Sequence, residues 1–145
     1  MKKILLTLLL IPALIALKAQ DSVLHRIILI GDAGEMDPQQ RNVILDAAAK
    51  VIPHRTSSFF LGDNIYPRGM GLPGSPEEKE TQAILKSQYQ PLRKAGSPVF
   101  FIPGNHDWDR MGPKGLAKIR QQSDFLAAQQ DSLLEMIPKG DARDR

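Results

Sequence analysis

The chain has no cysteine among its 145 residues. Disulfides therefore cannot staple it even in an oxidising compartment, and a lipoprotein anchor on cysteine is excluded. It has no run of lysine or arginine that would mark a track for a nucleic-acid backbone. The formal net charge of +3 is matched by Lys2, Lys3 and Lys18 in the first 20 residues, which hold no acid, so the remainder is neutral. The basic balance thus argues for no nucleic-acid partner. There is no internal repeat of solenoid period and no low-complexity segment. The longest apolar run is too short and abrupt for a comfortable transmembrane helix.

That run lies at the start. Lys2 and Lys3 precede an apolar stretch, 4–17, broken only by Thr7 and Pro12, and Lys18-Ala19-Gln20-Asp21 follows. A basic region, a short apolar region and a small residue describe a secretory signal peptide over residues 1–20, cleaved after Ala19 or Gln20. The expectation is an exported protein, periplasmic, in the cell envelope or extracellular, with no stable membrane span after cleavage. Residues 21–145 are then long enough for one domain.

Three apolar runs break off at a glycine followed by a metal-binding type of side chain. Ile27-Ile28-Leu29-Ile30 leads into Gly31-Asp32, and Ser58-Phe59-Phe60-Leu61 into Gly62-Asp63-Asn64-Ile65-Tyr66. Val99-Phe100-Phe101-Ile102 leads through Pro103 into Gly104-Asn105-His106-Asp107. One such junction is an ordinary turn; three in series suggest ligands gathered along one sheet edge.

The segments between them read as helices. Residues 23–30 form a strand, and Asp37-Pro38 is an N-cap and first helical residue. The helix carries Val43, Ile44, Ala47, Ala48 and Val51 on one face and ends before Pro53. Residues 57–61 form a second strand and 64–74 a loop. Ser75-Pro76-Glu77-Glu78 has the pattern of a capping box, opening a helix with Ala83, Ile84 and Leu92 on its apolar face and closing near Gly96. Residues 98–102 form a third strand. A last amphipathic helix is expected over about 113–134, with Leu116, Ile119, Leu126 and Leu133 at helical spacing. The order βαβαβα makes this an α/β fold. Strands apolar on both faces predict a parallel sheet with helices on each side. Right-handed crossovers bring the three strand ends to one edge, where open α/β sheets bind ligands.

Carboxylate, amide and phenolate oxygens suit hard ions, with imidazole for borderline ones. A glycine before each ligand lets the backbone turn tightly. Two ions roughly 3.5–4 Å apart can clamp an in-line phosphoryl displacement, and a shared carboxylate must then sit centrally, as Asp63 does on the middle strand. His106, beside Asn105, is a candidate proton donor or hydrogen-bond partner at a leaving oxygen. Asp107 either orients His106 or caps a turn. Trp108 reads as a wall of the cleft or the core, and His25 and His54 as surface or strand-edge residues.

Gly31-Asp32-Ala33-Gly34, Gly62-Asp63-Asn64-Ile65-Tyr66 and Gly104-Asn105-His106-Asp107 resemble the first three motifs of the calcineurin-like metallophosphoesterases. Most of that family has a histidine where this chain has Gly34. With Tyr66 closing the second motif, the paired change resembles the purple acid phosphatase branch, an acid phosphatase type in which a tyrosine replaces that histidine. The resemblance implies the N-terminal half of a β-sandwich flanked by helices. It implies hydrolysis of phosphate mono- or diesters by metal-activated water. Two metal ions are implied, a ferric ion on Asp32 and Tyr66 and a second iron, zinc or manganese on Asn105, with Asp63 bridging and His106 catalytic.

A complete site of that kind needs three further histidines, and none follows His106. The expectation is therefore a domain truncated at its C-terminal end. Sequences resembling this one carry Gly-Cys-Pro-Gly-Pro after the last helix. Codons for that peptide, read from their second base, give Asp-Ala-Arg-Asp-Arg, as in Asp141-Ala142-Arg143-Asp144-Arg145. A one-base deletion near Gly140 would account for the tail. The alternative function is a non-catalytic metal- or phosphate-binding fragment; a receiver-like module with acidic strand ends around one magnesium ranks below it.

Overall fold

The computed structural model describes residues 23–35 and 37–138. The expected signal peptide and the tail after Gly140 lie outside the described residues. Strands β1 (Arg26–Ile30), β2 (Thr56–Phe60), β3 (Val99–Phe101) and β4 (Leu134–Met136) alternate with helices α1 (Pro38–Ala49), α2 (Glu78–Lys94) and α3 (Gly115–Ala127). All neighbouring strands pair in parallel, in the order β1-β2-β3-β4. The fold is α/β, with a parallel sheet and intervening helices.

The register aligns the strand ends. Ile30 lies beside Phe60, Phe60 beside Phe101, and Phe101 beside Met136. These four side chains are buried, and the rings of Phe60 and Phe101 stack with centroids 4.6 Å apart. Because the last residues of β1, β2 and β3 share one row, their glycine junctions leave the sheet side by side.

Strand order corrects the expected placement of the helices. Crossovers of one hand between strands in sequential order stack every helix against the same face. Ile44, Ile84, Leu85, Leu92, Ile119 and Leu126 pack with that face into the core. The opposite face stays open: Ile27 is 63 % and Leu29 61 % exposed, and Phe59 and Phe100 stack there at 4.9 Å. The apolar runs do signal two apolar faces, but the described residues cover one.

The ends of the elements show further differences. Asp37 caps α1, its Oδ1 accepting from Gln40 N at 2.8 Å. The Ser75 capping box does not form. Helix α2 begins at Glu78, and Glu78 Oε2 accepts from Gly74 N at 2.7 Å instead. Ala83 is exposed on α2, as are Val43 on α1 and Leu116 on α3. Helix α3 ends at Ala127, short of the expected 134. Gln130 takes a left-handed φ of 55°, and Asp131 Oδ1 accepts from Leu133 N at 3.0 Å. That side-chain turn competes with helix and releases β4 to pair with β3. Leu133 is consequently exposed rather than on a helical stripe.

Candidate metal centre

Two of the junction aspartates sit in left-handed backbone, Asp32 and Asp63 both at φ 52°. Non-glycine residues adopt this region at a cost and cluster there at functional sites. The glycine before Asp32 is not what permits its turn, since a Cβ on Gly31 would meet nothing within 4 Å. The other junctions do require glycine. A Cβ on Gly62 would lie 2.8 Å from Gly104 Cα, and one on Gly104 would lie 2.3 Å from Asp63 N and Oδ1. The two glycines let the ends of β2 and β3 close onto Asp63.

Tyr66 joins the first two junctions. Its phenolic O–H lies 2.8 Å from Asp32 Oδ1 and 3.2 Å from Asp63 Oδ2. Burial first, then the hydrogen bond to Asp32 and the charge of Asp63, push its ionisation far above the usual phenol range. Asp63 Oδ1 accepts from His106 N at 3.0 Å, which leaves Oδ2 turned to the phenol. The His106 ring stands edge-on to Tyr66 with centroids 4.4 Å apart. His106 Nδ1 is 2.8 Å from Pro67 O. A carbonyl only accepts, so Nδ1 carries hydrogen and Nε2 is the atom free to exchange a proton. Asn105 lies on the same edge with an exposed side chain, and its backbone oxygen accepts from Arg110 N at 2.8 Å. Its amide makes no hydrogen bond to either aspartate among the described residues.

Gly34 and Tyr66 are sterically coupled. Gly34 O accepts from Tyr66 N at 3.1 Å. A Cβ at position 34 would lie 2.6 Å from Asp63 O, 2.7 Å from Tyr66 N and 2.8 Å from Ile65 N. The space a histidine would need there is filled by the backbone that presents the tyrosine.

Two buried polar residues hold this edge in shape. Asp107 is fully buried and its carboxylate makes no hydrogen bond to the His106 ring. Its Oδ2 accepts from Asn64 N at 3.0 Å, Asn64 Nδ2 at 3.1 Å and Gly104 N at 2.8 Å, and its Oδ1 accepts from Ile65 N at 3.1 Å. It therefore ties the second junction to the third. Burial pushes its carboxyl up to about 6, against the backbone N–H groups that lower it. Gln88 Nε2 on α2 donates to Ala33 O at 2.6 Å and Asn64 O at 2.8 Å, tying the first junction to the second. Sequence reasoning missed Gln88. The signal was a glutamine midway between Ile84 and Leu92 on an otherwise apolar helix face. Trp108 packs against the core, and His25 and His54 are exposed, as expected of each, His25 bonding Ser57 Oγ at 3.1 Å.

Two carboxylates and a phenol converge on what is now one shared proton. That is an oxygen donor set for a hard cation, which would replace the proton. No imidazole joins it, and among the described residues no group of three or more His, Cys, Asp or Glu gathers to hold a metal. The residues present fit half of a coordination shell.

A family model described as calcineurin-like phosphoesterase matches residues 25–138, and the chain belongs to that family. No curated protein and no solved structure shows a significant match.

Proposed function

We propose that this chain carries the first half of a binuclear centre for hydrolysing phosphate mono- or diesters, built on the purple acid phosphatase plan. The observation that carries the reading is the Tyr66 phenol set between Asp32 and Asp63, with backbone filling the place of a histidine at Gly34. Asp32 and Tyr66 would hold one ion, a ferric one, Asp63 would be shared, and Asn105 would serve a second iron, zinc or manganese. Bound ions of this kind supply charge neutralisation and an activated water for in-line displacement.

The chain's own residues do the rest. His106 N fixes Asp63 Oδ1 and leaves Oδ2, beside the Tyr66 hydroxyl, as the oxygen that would meet a metal. Pro67 O holds the His106 ring by Nδ1, so that Nε2 is the nitrogen that, in the imidazolium, would give its proton to the leaving oxygen. Tyr66 must give up its proton to bind, and the two carboxylates that retain it in the free protein are the groups a cation would engage.

The chain is read as an incomplete domain. Two observations favour this: the donor set lacks imidazole, and an apolar sheet face holding Ile27, Leu29, Phe59 and Phe100 is uncovered. Contiguous apolar surface left exposed by the described residues is the kind that a packing partner covers. The same observations favour the second reading, a metal- or phosphate-binding fragment without hydrolase activity. Export rests on the sequence of residues 1–20; no helix among the described residues is long and apolar enough to cross a membrane.

Metal stoichiometry and p-nitrophenyl phosphate turnover on the purified chain separate the readings. Bound metal with turnover supports the enzyme as it stands, and bound metal without turnover supports the fragment. No metal bound in either oxidation state of iron, or with zinc or manganese, contradicts the enzyme, and no inorganic phosphate bound either contradicts the fragment as well.

A further inference from the structure

Just past the third junction the backbone takes a costly path. Asp109, Arg110 and Met111 have φ values of 56°, 53° and 61°, and none is glycine. Left-handed backbone is costly for an L-residue, so three in succession persist only where the surroundings impose them. The surroundings here do so. Asp109 N donates to His106 O at 3.0 Å, Arg110 N to Asn105 O at 2.8 Å, and Gly112 N to Asp109 O at 3.0 Å. The nearly buried Asp109 carboxylate is pinned between Arg68 at 3.4 Å and Lys118 at 3.7 Å. The turn is bent back onto Asn105 and His106.

Its product is the position of Arg110. The guanidinium reaches the His106 ring, with Nε 3.4 Å from Nδ1. That approach does not satisfy the arginine. Nδ1 gives its hydrogen to Pro67 O, so at 3.4 Å it is a poor acceptor for Nε, and the guanidinium has no other hydrogen bond among the described residues. Among the described residues Arg110 makes no ion pair, whereas Arg68 and Arg93 do. Unpaired arginines on a surface are ordinary. This one is held by strained backbone beside the proton-donor candidate, which in turn touches Tyr66 and Asp63.

We propose that Arg110 is a specificity-determining residue that grips terminal oxygens of a phosphate monoester at the edge of the candidate centre. The inference rests on the phosphoesterase reading above. A planar guanidinium matches two phosphate oxygens at once, which an ammonium does not. A monoester has three terminal oxygens and a second negative charge, so it can engage the ions and the arginine together; a diester has two oxygens and one charge. The arginine therefore favours monoesters.

Inorganic phosphate is the probe, titrated by calorimetry into the full chain with manganese present and again in EDTA. Arg110→Gly removes the guanidinium at a φ that glycine adopts without strain, and Arg110→Lys keeps the charge but not the fork. We expect phosphate binding about tenfold or more weaker in R110G and an intermediate loss in R110K, with manganese affinity equal in all three proteins. Equal phosphate affinity in R110G and the parent overturns the proposal, as does a parent that binds phosphate in neither condition. A parallel loss of manganese affinity in R110G also overturns it, because the turn would then shape the ligand loop instead of meeting substrate. Phosphate binding that needs Arg110 in a chain with no manganese affinity upholds the arginine and removes the metal assignment.

Discussion

Asp107 Oδ2 accepts both the backbone N–H and the side-chain amide of Asn64, at 3.0 and 3.1 Å, from a position with no solvent exposure. With Gly104 N and Ile65 N on the same carboxylate, one side chain closes the two loops that carry Asp63 and Asn105. Asp107→Ala leaves these donors buried without an acceptor. The expected loss is about 2–4 kcal/mol of unfolding free energy, measured by urea denaturation.

The same carboxyl makes stability depend on pH. Its folded value is raised to about 6 from an ordinary 3.8, chiefly by burial. Between those values the folded chain holds a proton that the unfolded chain has lost, so stability falls as pH rises from about 4 to about 6, by up to roughly 3 kcal/mol, and levels off above. Denaturation of the metal-free chain in EDTA across that range should show the slope. Asp107→Asn should remove it.

Gly34 gives a steric prediction. Gly34→Ala places a methyl against the backbone of Asp63, Ile65 and Tyr66 at 2.6–2.8 Å. Backbone cannot swing aside as a side chain can, so the loop must move. The variant should lose about 1–3 kcal/mol of stability, and a metal titration should show weakened binding as Tyr66 is carried away from Asp32.

Much of this was legible in the sequence because local chemistry carried it. The apolar runs ending at Gly-Asp and Gly-Asn located the strands and the edge where the candidate ligands leave the sheet, and Asp37-Pro38 located a helix start. What the runs could not show is which face is covered. Ile27 and Leu29 have the composition of buried residues, and only the strand order puts every helix on the other side. Strand β4 escaped notice because three residues carry too little pattern, and Leu133 happened to continue the spacing of Leu126. Gln88 and Asp107 act across 24 to 55 residues of sequence, so no local motif reveals their partners. The left-handed turn at Arg110 is likewise set by contacts with Arg68 and Lys118 and not by glycine.

The central claim is that Tyr66, Asp32 and Asp63 form a cation site. Titrating ferric ion into the chain while recording the visible spectrum tests it most directly. The account predicts one bound iron per chain, a tyrosinate-to-iron charge-transfer band that grows with it, and proton release on binding. Tyr66→Phe should abolish the band. No band, or a band that survives in Y66F, would contradict the account.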